Sequence, residues 1–209
     1  MNSSASQANR EHQPLSAVTA ERRRAHYYFP PSAILLDRDG VINHERADYV
    51  KSWPEFQLLP GVLAALRRLA TLPIPIVVIT NQSAIGRGLV APATVAAIHD
   101  RLAQAAHTAG GRLDGFFVCP HHPTAGCDCR KPKPGLLLQA ARHFGFDLAQ
   151  AIFIGDAITD FEAARAAGCH AILVKSGRQG TVLDTYFTNT AAPPLVADLA
   201  AAVDLLLQQ

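Results

Sequence analysis

Residues 34–43, with the sequence Ile-Leu-Leu-Asp-Arg-Asp-Gly-Val-Ile-Asn, constrain the fold of this chain more than any other segment. Three apolar residues lead directly into Asp37 and Asp39, and Gly40 follows them. This pattern predicts a buried strand that ends at a carboxylate pair and then turns sharply. Ligands of an open parallel sheet bind at the carboxyl ends of its strands. Because two neighbouring acids repel each other, the pair indicates a metal ion, a phosphate reaction, or both at this edge.

The rest of the chain alternates between strand and helix patterns. Strands are expected at 33–37, 74–80, 113–118, 151–154 and 171–174. Helices are expected to open at Pro60-Gly61 and to occupy 92–109, 135–144, 158–167 and 195–207, with a loop at 175–190. This alternation predicts an α/β fold, a Rossmann-like doubly wound parallel sheet with helices on both faces.

The composition favours one domain preceded by a tail. The 209 residues are 49% apolar and 17% charged, which allows a sizeable core. Residues 1–30 are polar, and we expect a disordered N-terminal extension there and a single domain at 31–209. Glu11 and Glu21 in this extension argue against a transit peptide, which is acid-poor.

Several partners and locations are disfavoured by the same composition. The net charge of +2 is too small to indicate nucleic-acid binding. No run of 18 apolar residues predicts a membrane helix, and no apolar segment in the first thirty residues predicts a secretory signal. We therefore expect a cytoplasmic protein without membrane or nucleic-acid partners, where clustered cysteines bind metal more often than they form disulfides.

Polar groups follow the predicted strands at the edge where Asp37 and Asp39 lie. The second strand ends in Thr80 and Asn81, and the fourth is followed by Asp156, with Asp160 one helical turn later. A basic segment, Arg-Lys-Pro-Lys-Pro at 130–134, follows the third strand. Phosphoryl transfer needs donors for the phosphoryl oxygens and a divalent cation, and a carboxylate can act as its nucleophile. Mg²⁺ is the natural metal, because it prefers oxygen ligands.

These motifs resemble those of the haloacid dehalogenase superfamily of phosphatases. The matching residues, between about 33 and 176, are Asp37-Arg38-Asp39-Gly40, Thr80-Asn81-Gln82, Lys131, and Gly155-Asp156 with Asp160. The resemblance implies that Asp37 is the nucleophile, and that Asp39 is the acid that protonates the leaving oxygen and later activates water. It also implies that Thr80 and Lys131 hold the phosphoryl oxygens, with Lys133 as a competitor for Lys131.

The resemblance further implies a Mg²⁺ site. Its ligands would be Asp37, the backbone carbonyl of Asp39, and Asp156, with Asp160 supporting them. Ala157 departs from the family, whose better-known members carry lysine after this aspartate. That departure leaves open one charged contact near the metal and the substrate.

A cysteine cluster lies between the third strand and the lysine segment. Cys119, Cys127 and Cys129 together with His121 have the spacing C-x-H-x5-C-x-C, and three thiolates with one imidazole complete a tetrahedral Zn²⁺ shell. A closed shell predicts a structural site that orders the loop. His122 is the alternative imidazole ligand, and incidental thiols or a surface disulfide are the alternatives to zinc. Cys169 is expected to be an ordinary core residue.

The segments that could house a cap domain are too short for one, which predicts an open, capless site. Within the superfamily, the zinc loop and missing cap resemble two families, which act on D-glycero-D-manno-heptose 1,7-bisphosphate and on histidinol phosphate. The segment at 80–88, Thr-Asn-Gln-Ser-Ala-Ile-Gly-Arg-Gly, resembles the heptose family more closely. Ala84 and Gly86 exchange that family's glycine and alanine. We expect a sugar phosphate as substrate and a monomer; a non-catalytic, zinc-stapled phosphosugar-binding protein is the alternative.

The heptose resemblance assigns the remaining substrate contacts. Arg130 would contact the second phosphate or the sugar, and Arg87 would shape the loop after the second strand. Asn81 and Ser83, in the same loop, are the other expected substrate contacts.

Overall fold

The computed structural model describes residues 30–187 and 192–208. Its strands are β1 (Ala33–Leu36), β2 (Ile76–Asn81), β3 (Gly115–Cys119), β4 (Ala151–Gly155), β5 (His170–Val174) and β6 (Leu195–Val196). They form one sheet in the order β3-β2-β1-β4-β5-β6, and every neighbouring pair is parallel. The predicted doubly wound parallel sheet is therefore confirmed.

The described helices cover both faces of this sheet. They are α1 (Val62–Leu69), α2 (Ser83–Gly86), α3 (Pro92–Thr108), α4 (Gly135–Phe144), α5 (Ile158–Ala167), α6 (Gly180–Tyr186) and α7 (Leu199–Leu207). Apolar residues of α1, α3 and α7 form one core cluster with the sheet, and those of α4 and α5 form a second. Successive strand residues point to opposite faces, so Ile34 and Leu36 belong to the first cluster and Leu35 to the second.

The sequence prediction was wrong for two segments near the C-terminus. The segment expected to be a loop contains α6, whose Leu183 is buried, and Phe187 is buried just beyond it. The helix expected from 195 begins only at Leu199, because 195–196 form β6 against β5. The Asp198 side chain accepts a hydrogen bond from the Ala201 N–H and caps this helix. Such short elements have too few residues for a period to be recognised.

Neither of the two segments that could house a cap domain, after β1 and after β3, contains one. Residues 37–61 hold only a 3-10 helix at Trp53–Glu55, and residues 120–134 hold no named helix or strand. In the described ranges, none of the helices combines the length and apolar character needed to cross a bilayer. Except for Pro30, the expected N-terminal extension lies outside the described residues.

The centre of the sheet is where the strand order reverses. From β1 the chain moves outward to β2 and β3, and it then returns to β4 on the other side of β1. In doubly wound folds this switch point opens a crevice beyond the carboxyl ends of the two central strands. The ends of β1 and β4 therefore define where a ligand should bind.

Candidate active site at the carboxyl edge of the sheet

Asp37 and Asp156 follow the two central strands and face the same cavity. The Asp37 N–H donates to the Ile154 carbonyl at 2.9 Å, so this residue continues the β1–β4 ladder before the chain turns. Both carboxylates are buried. They line a cavity of about 470 Å³, together with Asp39, Thr80 and Lys131 and sixteen further residues. The structure thus brings the predicted catalytic residues together.

Lys131 is the central cation of this site. Its Nζ lies 2.7 Å from Asp37 Oδ1 and 2.7 Å from Asp160 Oδ1, and it donates to the Ile79 carbonyl at 3.1 Å. The Lys131 side chain is only 3% exposed, so both ion pairs are shielded from water. Burial lowers the pKa of Lys131, but Asp160 and Asp37 outweigh it and raise that pKa well above its usual value. Lys131 therefore stays charged beside Asp37.

Asn81 clamps the main chain of Lys131. Its Nδ2 donates to the Lys131 carbonyl and its Oδ1 accepts from the Lys131 N–H, both at 3.2 Å. Because Asn81 ends β2, this pair of hydrogen bonds ties the loop after β3 to the neighbouring strand. Asn81 was predicted to contact substrate; it lines the cavity, and its side-chain amide holds the lysine segment.

The Asp39 carboxylate is held by three donor side chains. Arg38 Nη2 lies 3.0 Å from Oδ1 and 2.9 Å from Oδ2, Asn43 Nδ2 donates at 2.9 Å, and Gln82 Nε2 donates at 2.8 Å. The Gln82 amide also donates to Thr80 Oγ1 at 2.9 Å. The backbone turns at Gly40, whose φ of 84° favours glycine, and the Gly40 N–H donates to the Asn43 carbonyl. This is the sharp turn that the sequence predicted after the aspartate pair.

The three strand-end carboxylates have different electrostatic surroundings. Burial raises the pKa of Asp37 to about 7 against the opposing effect of Lys131. Burial, together with Asp37 and Asp160, raises the pKa of Asp156 to about 9. Burial also raises the pKa of Asp39, but the Arg38 ion pair and the hydrogen bonds from Asn43 and Gln82 bring it below the usual value. The site therefore has an excess of buried acid around Asp156.

This excess fits a divalent cation. Asp37, Asp156 and Asp160 each offer an oxygen, and these oxygens lie within 4.8 Å of one another. One Asp160 oxygen accepts from the Asp156 and Ala157 N–H groups at 3.0 Å, and the other pairs with Lys131. Asp37 and Asp156 are thus the freer ligands. A Cβ on Gly177 or on Gly40 would overlap the Asp156 carboxylate, so both glycines keep its surroundings open.

Four arginine side chains other than Arg38 line the cavity. Two of them, Arg130 and Arg87, were predicted from the sequence. Arg130 Nη1 is buried and has no hydrogen-bond partner among the described residues. Arg87 lies over the Tyr49 ring at 5.9 Å, consistent with a role in shaping the loop. Arg46 also lines the mouth. Arg178, which the sequence analysis did not single out, pairs with Glu45 at 3.1 Å and joins the loops after β1 and β5.

The other expected loop contact, Ser83, begins the short helix α2 and lines the cavity. Ala157, the departure from lysine, lines it as well and adds no charge. The structure thus places both residues at the site, where their contacts with substrate remain predictions.

The cysteine cluster is assembled as the spacing predicted. Nδ1 of His121 lies 3.6 Å from the Cys119 sulfur and 3.2 Å from the Cys129 sulfur. The Cys127 sulfur lies 3.7 Å from Cys119 and 3.6 Å from Cys129. A tetrahedral zinc shell places its donors roughly 3.5–3.8 Å apart. Three of these four separations lie in that range and the fourth is slightly shorter, so this donor set is compatible with zinc. His122, the alternative ligand, instead contacts Thr124 Oγ1 at 2.8 Å.

The zinc-compatible loop packs against the active-site loops. A Cβ on Gly86, at the end of α2, would overlap the backbone of His121 and His122. The exchange of small residues at 84 and 86 thus puts glycine at the close contact and the Ala84 methyl in a buried cluster. Lys133, the competitor for Lys131, pairs with Asp128 at 2.8 Å on the exposed side of the loop. Lys131, and not Lys133, is therefore the lysine that lies beside Asp37.

Four buried polar residues around Asp39 were not assigned a role by the sequence analysis. Arg38 and Gln82 occurred inside the quoted motifs, and that position was their only signal. Asn43 and His99 had none, because His99 lies among the apolar positions of α3 and Asn43 lies in the irregular segment after β1. Their roles depend on contacts that only the folded chain creates.

Comparison with known proteins identifies the class that this fold and site define. The family model described as HAD-hydrolase-like matches residues 128–202. A crystal structure of D,D-heptose 1,7-bisphosphate phosphatase from B. bronchiseptica, complexed with magnesium and phosphate, has a TM-score of 0.80 and 42% sequence identity. The match covers 85% of this chain and 98% of that one. The chain is thus a haloacid dehalogenase-like hydrolase.

Curated relatives define the family more closely. D-glycero-beta-D-manno-heptose-1,7-bisphosphate 7-phosphatase of Pseudomonas aeruginosa is 42% identical over 177 residues, covering 85% of this chain and 98% of the relative. D-glycero-alpha-D-manno-heptose-1,7-bisphosphate 7-phosphatase of Mycobacterium tuberculosis is 40% identical over 163 residues, covering 75% and 86%. This chain belongs to the family of these heptose-1,7-bisphosphate 7-phosphatases, which are phosphoric monoester hydrolases. The predicted resemblance is confirmed, and the non-catalytic alternative is set aside.

Proposed function

We propose that this protein removes the 7-phosphate of D-glycero-D-manno-heptose 1,7-bisphosphate through an aspartyl-phosphate on Asp37. The observation that carries the proposal is the position of the Asp37 carboxylate, buried at the sheet switch point and 2.7 Å from the Lys131 ammonium. A carboxylate there can attack phosphorus while the lysine and the Thr80 hydroxyl bind the equatorial oxygens.

In the first step, an Asp37 oxygen forms a bond to phosphorus as the bond between phosphorus and the sugar oxygen breaks. The departing oxygen takes a proton from Asp39. The anionic phosphate beside Asp39 favours the protonated form of that carboxyl after substrate binds. Arg38, Asn43 and Gln82 fix the Asp39 carboxylate, so that its proton is delivered at a defined position.

In the second step, water attacks the aspartyl-phosphate and gives its proton to Asp39. Phosphate leaves and Asp37 is regenerated as a carboxylate. The Arg38 ion pair, with the hydrogen bonds to Asp39, favours the ionised carboxylate, which is the form that accepts the proton. One residue thus supplies the acid of the first step and the base of the second.

Mg²⁺ is the proposed catalytic cofactor. Asp37, Asp156 and the backbone carbonyl of Asp39 would hold it, and Asp160 would support them through its bonds to the Asp156 N–H and Lys131. When bound, Mg²⁺ neutralises charge on the phosphoryl group and offsets the excess of buried acid. The magnesium and phosphate named for the B. bronchiseptica structure support this choice.

Zn²⁺ is proposed as a second, structural metal. Cys119, His121, Cys127 and Cys129 would occupy its full tetrahedral shell, which leaves no position for substrate. Cys129 is followed directly by Arg130 and Lys131, so a metal that fixes the loop also fixes the cations that face substrate.

Arg130 is the proposed ligand of the second phosphate or of the sugar. Its buried, unpartnered Nη1 would gain a partner when an anionic ligand enters the cavity. Arg87, Ser83 and Asn81 would shape the neighbouring wall. The relatives include enzymes named for both the alpha and the beta anomer, so the anomer is a question for the assay.

A side-by-side rate assay tests the proposed substrate. Phosphate release is measured with Mg²⁺ from the alpha and beta heptose 1,7-bisphosphates and from histidinol phosphate, at equal concentrations. We expect release from at least one heptose substrate and little from histidinol phosphate, with Asp37→Asn inactive on all three. A preference for histidinol phosphate contradicts the proposed substrate. Activity in Asp37→Asn contradicts the nucleophile.

The proposed setting is the cytoplasm, where the protein acts as a monomer on a small sugar phosphate. The composition, with its small net charge, supports the absence of nucleic-acid and membrane partners. Size-exclusion chromatography with light scattering tests the monomer, and a stable dimer contradicts it.

A further inference from the structure

Arg38, which lies between Asp37 and Asp39 in the sequence, is a buried cation. Its side chain is 1% exposed, and its guanidinium carbon lies 5.5 Å from the centroid of the Phe56 ring. One terminal nitrogen pairs with both oxygens of Asp39. The other terminal nitrogen donates to Nε2 of His99 at 3.2 Å. Each terminal nitrogen therefore has a separate partner.

His99 is held rigidly at the far side of this guanidinium. It lies on α3, is 4% exposed, and stacks on the Phe116 ring with a centroid separation of 4.6 Å and an interplanar angle of 9°. Because an arginine can only donate, Nε2 of His99 must accept, so the ring is neutral and its proton lies on Nδ1. Burial and the Arg38 charge lower the pKa of His99 to about 3, in agreement with a neutral ring.

The Arg38–Asp39 pair is poorly explained by stability alone. A buried ion pair costs much of its Coulombic gain in lost hydration, and apolar residues of similar size often stabilise a core equally well. The Arg38 Nε also lacks a hydrogen-bond partner among the described residues. A long side chain with an unpaired Nε needs another contact to fix its terminal nitrogens, and the His99 acceptor supplies one.

We propose that His99 is a positioning residue for the reaction, acting through Arg38 to fix the Asp39 carboxylate for proton transfer. The inference rests on the proposed function of Asp39. His99 itself is separated from the substrate by Arg38 and exchanges no proton in the reaction. Its contribution is the geometry of the proton donor, which matters most when the leaving group needs a proton.

Leaving-group dependence tests the inference, because p-nitrophenolate departs as a stable anion without a proton. The first turnover is measured by rapid quench for the heptose substrate and by stopped-flow for p-nitrophenyl phosphate. In His99→Phe, which keeps an aromatic ring for Phe116 but loses the acceptor, the sugar reaction should slow about tenfold. The nitrophenolate burst should stay within about twofold of wild type, with the KM for the sugar substrate unchanged within about twofold.

Conservative and control variants separate positioning from folding. His99→Gln keeps a carbonyl acceptor, and we expect it to restore the sugar reaction to within about threefold of wild type. His107→Phe makes the same exchange at an exposed position of the same helix and should leave both reactions unchanged. If His99→Phe unfolds, His99→Met removes the acceptor with a flexible apolar side chain.

Equal slowing of both substrates in the acceptor-free variants overturns the inference, and so does a wild-type rate on the sugar. Failure of His99→Gln to recover activity also counts against it. A wild-type enzyme inactive on both heptose anomers contradicts the proposed substrate instead. In that case, the same variants are compared on glycerol phosphate, another alkyl monoester whose oxygen needs a proton.

Discussion

At the residue scale, Lys131 connects Asp37, the proposed nucleophile, with Asp160, which supports the proposed metal site. It pairs with Asp37 and Asp160 at 2.7 Å and is fixed from behind by Asn81. Replacement by Met would remove a phosphoryl-oxygen donor and leave two buried acids without their cation. We expect Lys131→Met to lower kcat/KM at least about a hundredfold and to destabilise the fold by about 3–5 kcal/mol. Steady-state kinetics and denaturant unfolding measure the two effects.

Lys133 provides the matched control for this substitution. Its ammonium pairs with the exposed Asp128 and lies on the outer side of the loop. Lys133→Met should therefore keep kcat/KM within about twofold and cost less than about 1 kcal/mol of stability, as exposed ion pairs do. The assignment of Lys131 is contradicted if Lys133→Met is the more damaging change.

Asp156 should destabilise the metal-free protein at neutral and alkaline pH. Burial raises its folded-state pKa from the ordinary 3.8 to about 9. Between these values the unfolded chain releases a proton that the folded chain keeps, so stability falls as pH rises. In the absence of metal at pH 8, Asp156→Asn should raise Tm by at least about 3 °C, and the difference should shrink towards pH 4.

Thermal unfolding with EDTA and with Mg²⁺ checks this prediction. Added Mg²⁺ should stabilise the wild type and leave Asp156→Asn nearly unchanged, because the variant lacks a ligand. Asp100→Asn, at an exposed position on α3, is the control and should shift neither curve. A metal-free Asp156→Asn that melts below wild type at pH 8 contradicts the proposed excess of buried acid.

Two acids of the site were predictable because each directly follows an apolar strand. Asp37 and Asp156 could be located from the strand pattern alone, and parallel pairing then brought them together. Their partners were less accessible to sequence reasoning. Arg38 and His99 are 61 positions apart, and their contact depends on how α3 packs on the sheet. No local pattern encodes such a contact.

At the element scale, we expect the cysteine loop to position the lysine segment that follows it. Substitution of one ligand should lower zinc content, because three ligands hold the ion less tightly than four. We expect about one zinc per chain in the wild type, and Cys127→Ser should lower zinc content, Tm and kcat/KM together. Metal analysis and kinetics on the same preparation measure these changes.

Cys169→Ala is the control, since this thiol lies apart from the cluster and should affect none of the three quantities. A zinc-free wild-type preparation that is fully folded and fully active contradicts a structural zinc.

The elements were predictable in proportion to their length. The ten-residue helices α4 and α5 have the predicted bounds, because each ends at a glycine with positive φ. In contrast, β6 has two residues and pairs only through Leu195 and Val196, so no alternation could reveal it. Gly180, Thr181 and Asp184 gave the α6 segment a polar composition, which masked the buried Leu183.

At the scale of the whole molecule, the described core begins at Ala33. Both large apolar clusters take their first residues from β1, and Ser32 is anchored by hydrogen bonds to Asp147 and Gln150. Removal of residues 1–29 should therefore keep Tm within about 2 °C and leave kcat/KM within about twofold of the full chain. Calorimetry and kinetics on both chains check this, and a large rise in KM would assign the extension a part in substrate binding.

The doubly wound architecture could be predicted as a whole, because alternating strands and helices allow few other arrangements. The composition of the cavity mouth could not. Arg178 and Glu45 come from loops about 130 positions apart, and they meet only because β5 and β1 end at the same edge.

The charge of the cavity mouth has a consequence for how substrate arrives. Six cationic and four acidic side chains line the cavity, and these are Arg38, Arg46, Arg87, Arg130, Lys131 and Arg178 with Asp37, Asp39, Glu45 and Asp156. With all ten groups ionised, their formal charges sum to +2, and the raised pKa values of Asp37 and Asp156 make the cavity of the metal-free protein more positive still near neutral pH. A bisphosphate should therefore be drawn to this opening by long-range attraction, and its encounter rate should fall as ionic strength rises. Stopped-flow association at several salt concentrations measures this slope, which Arg178→Gln should make shallower.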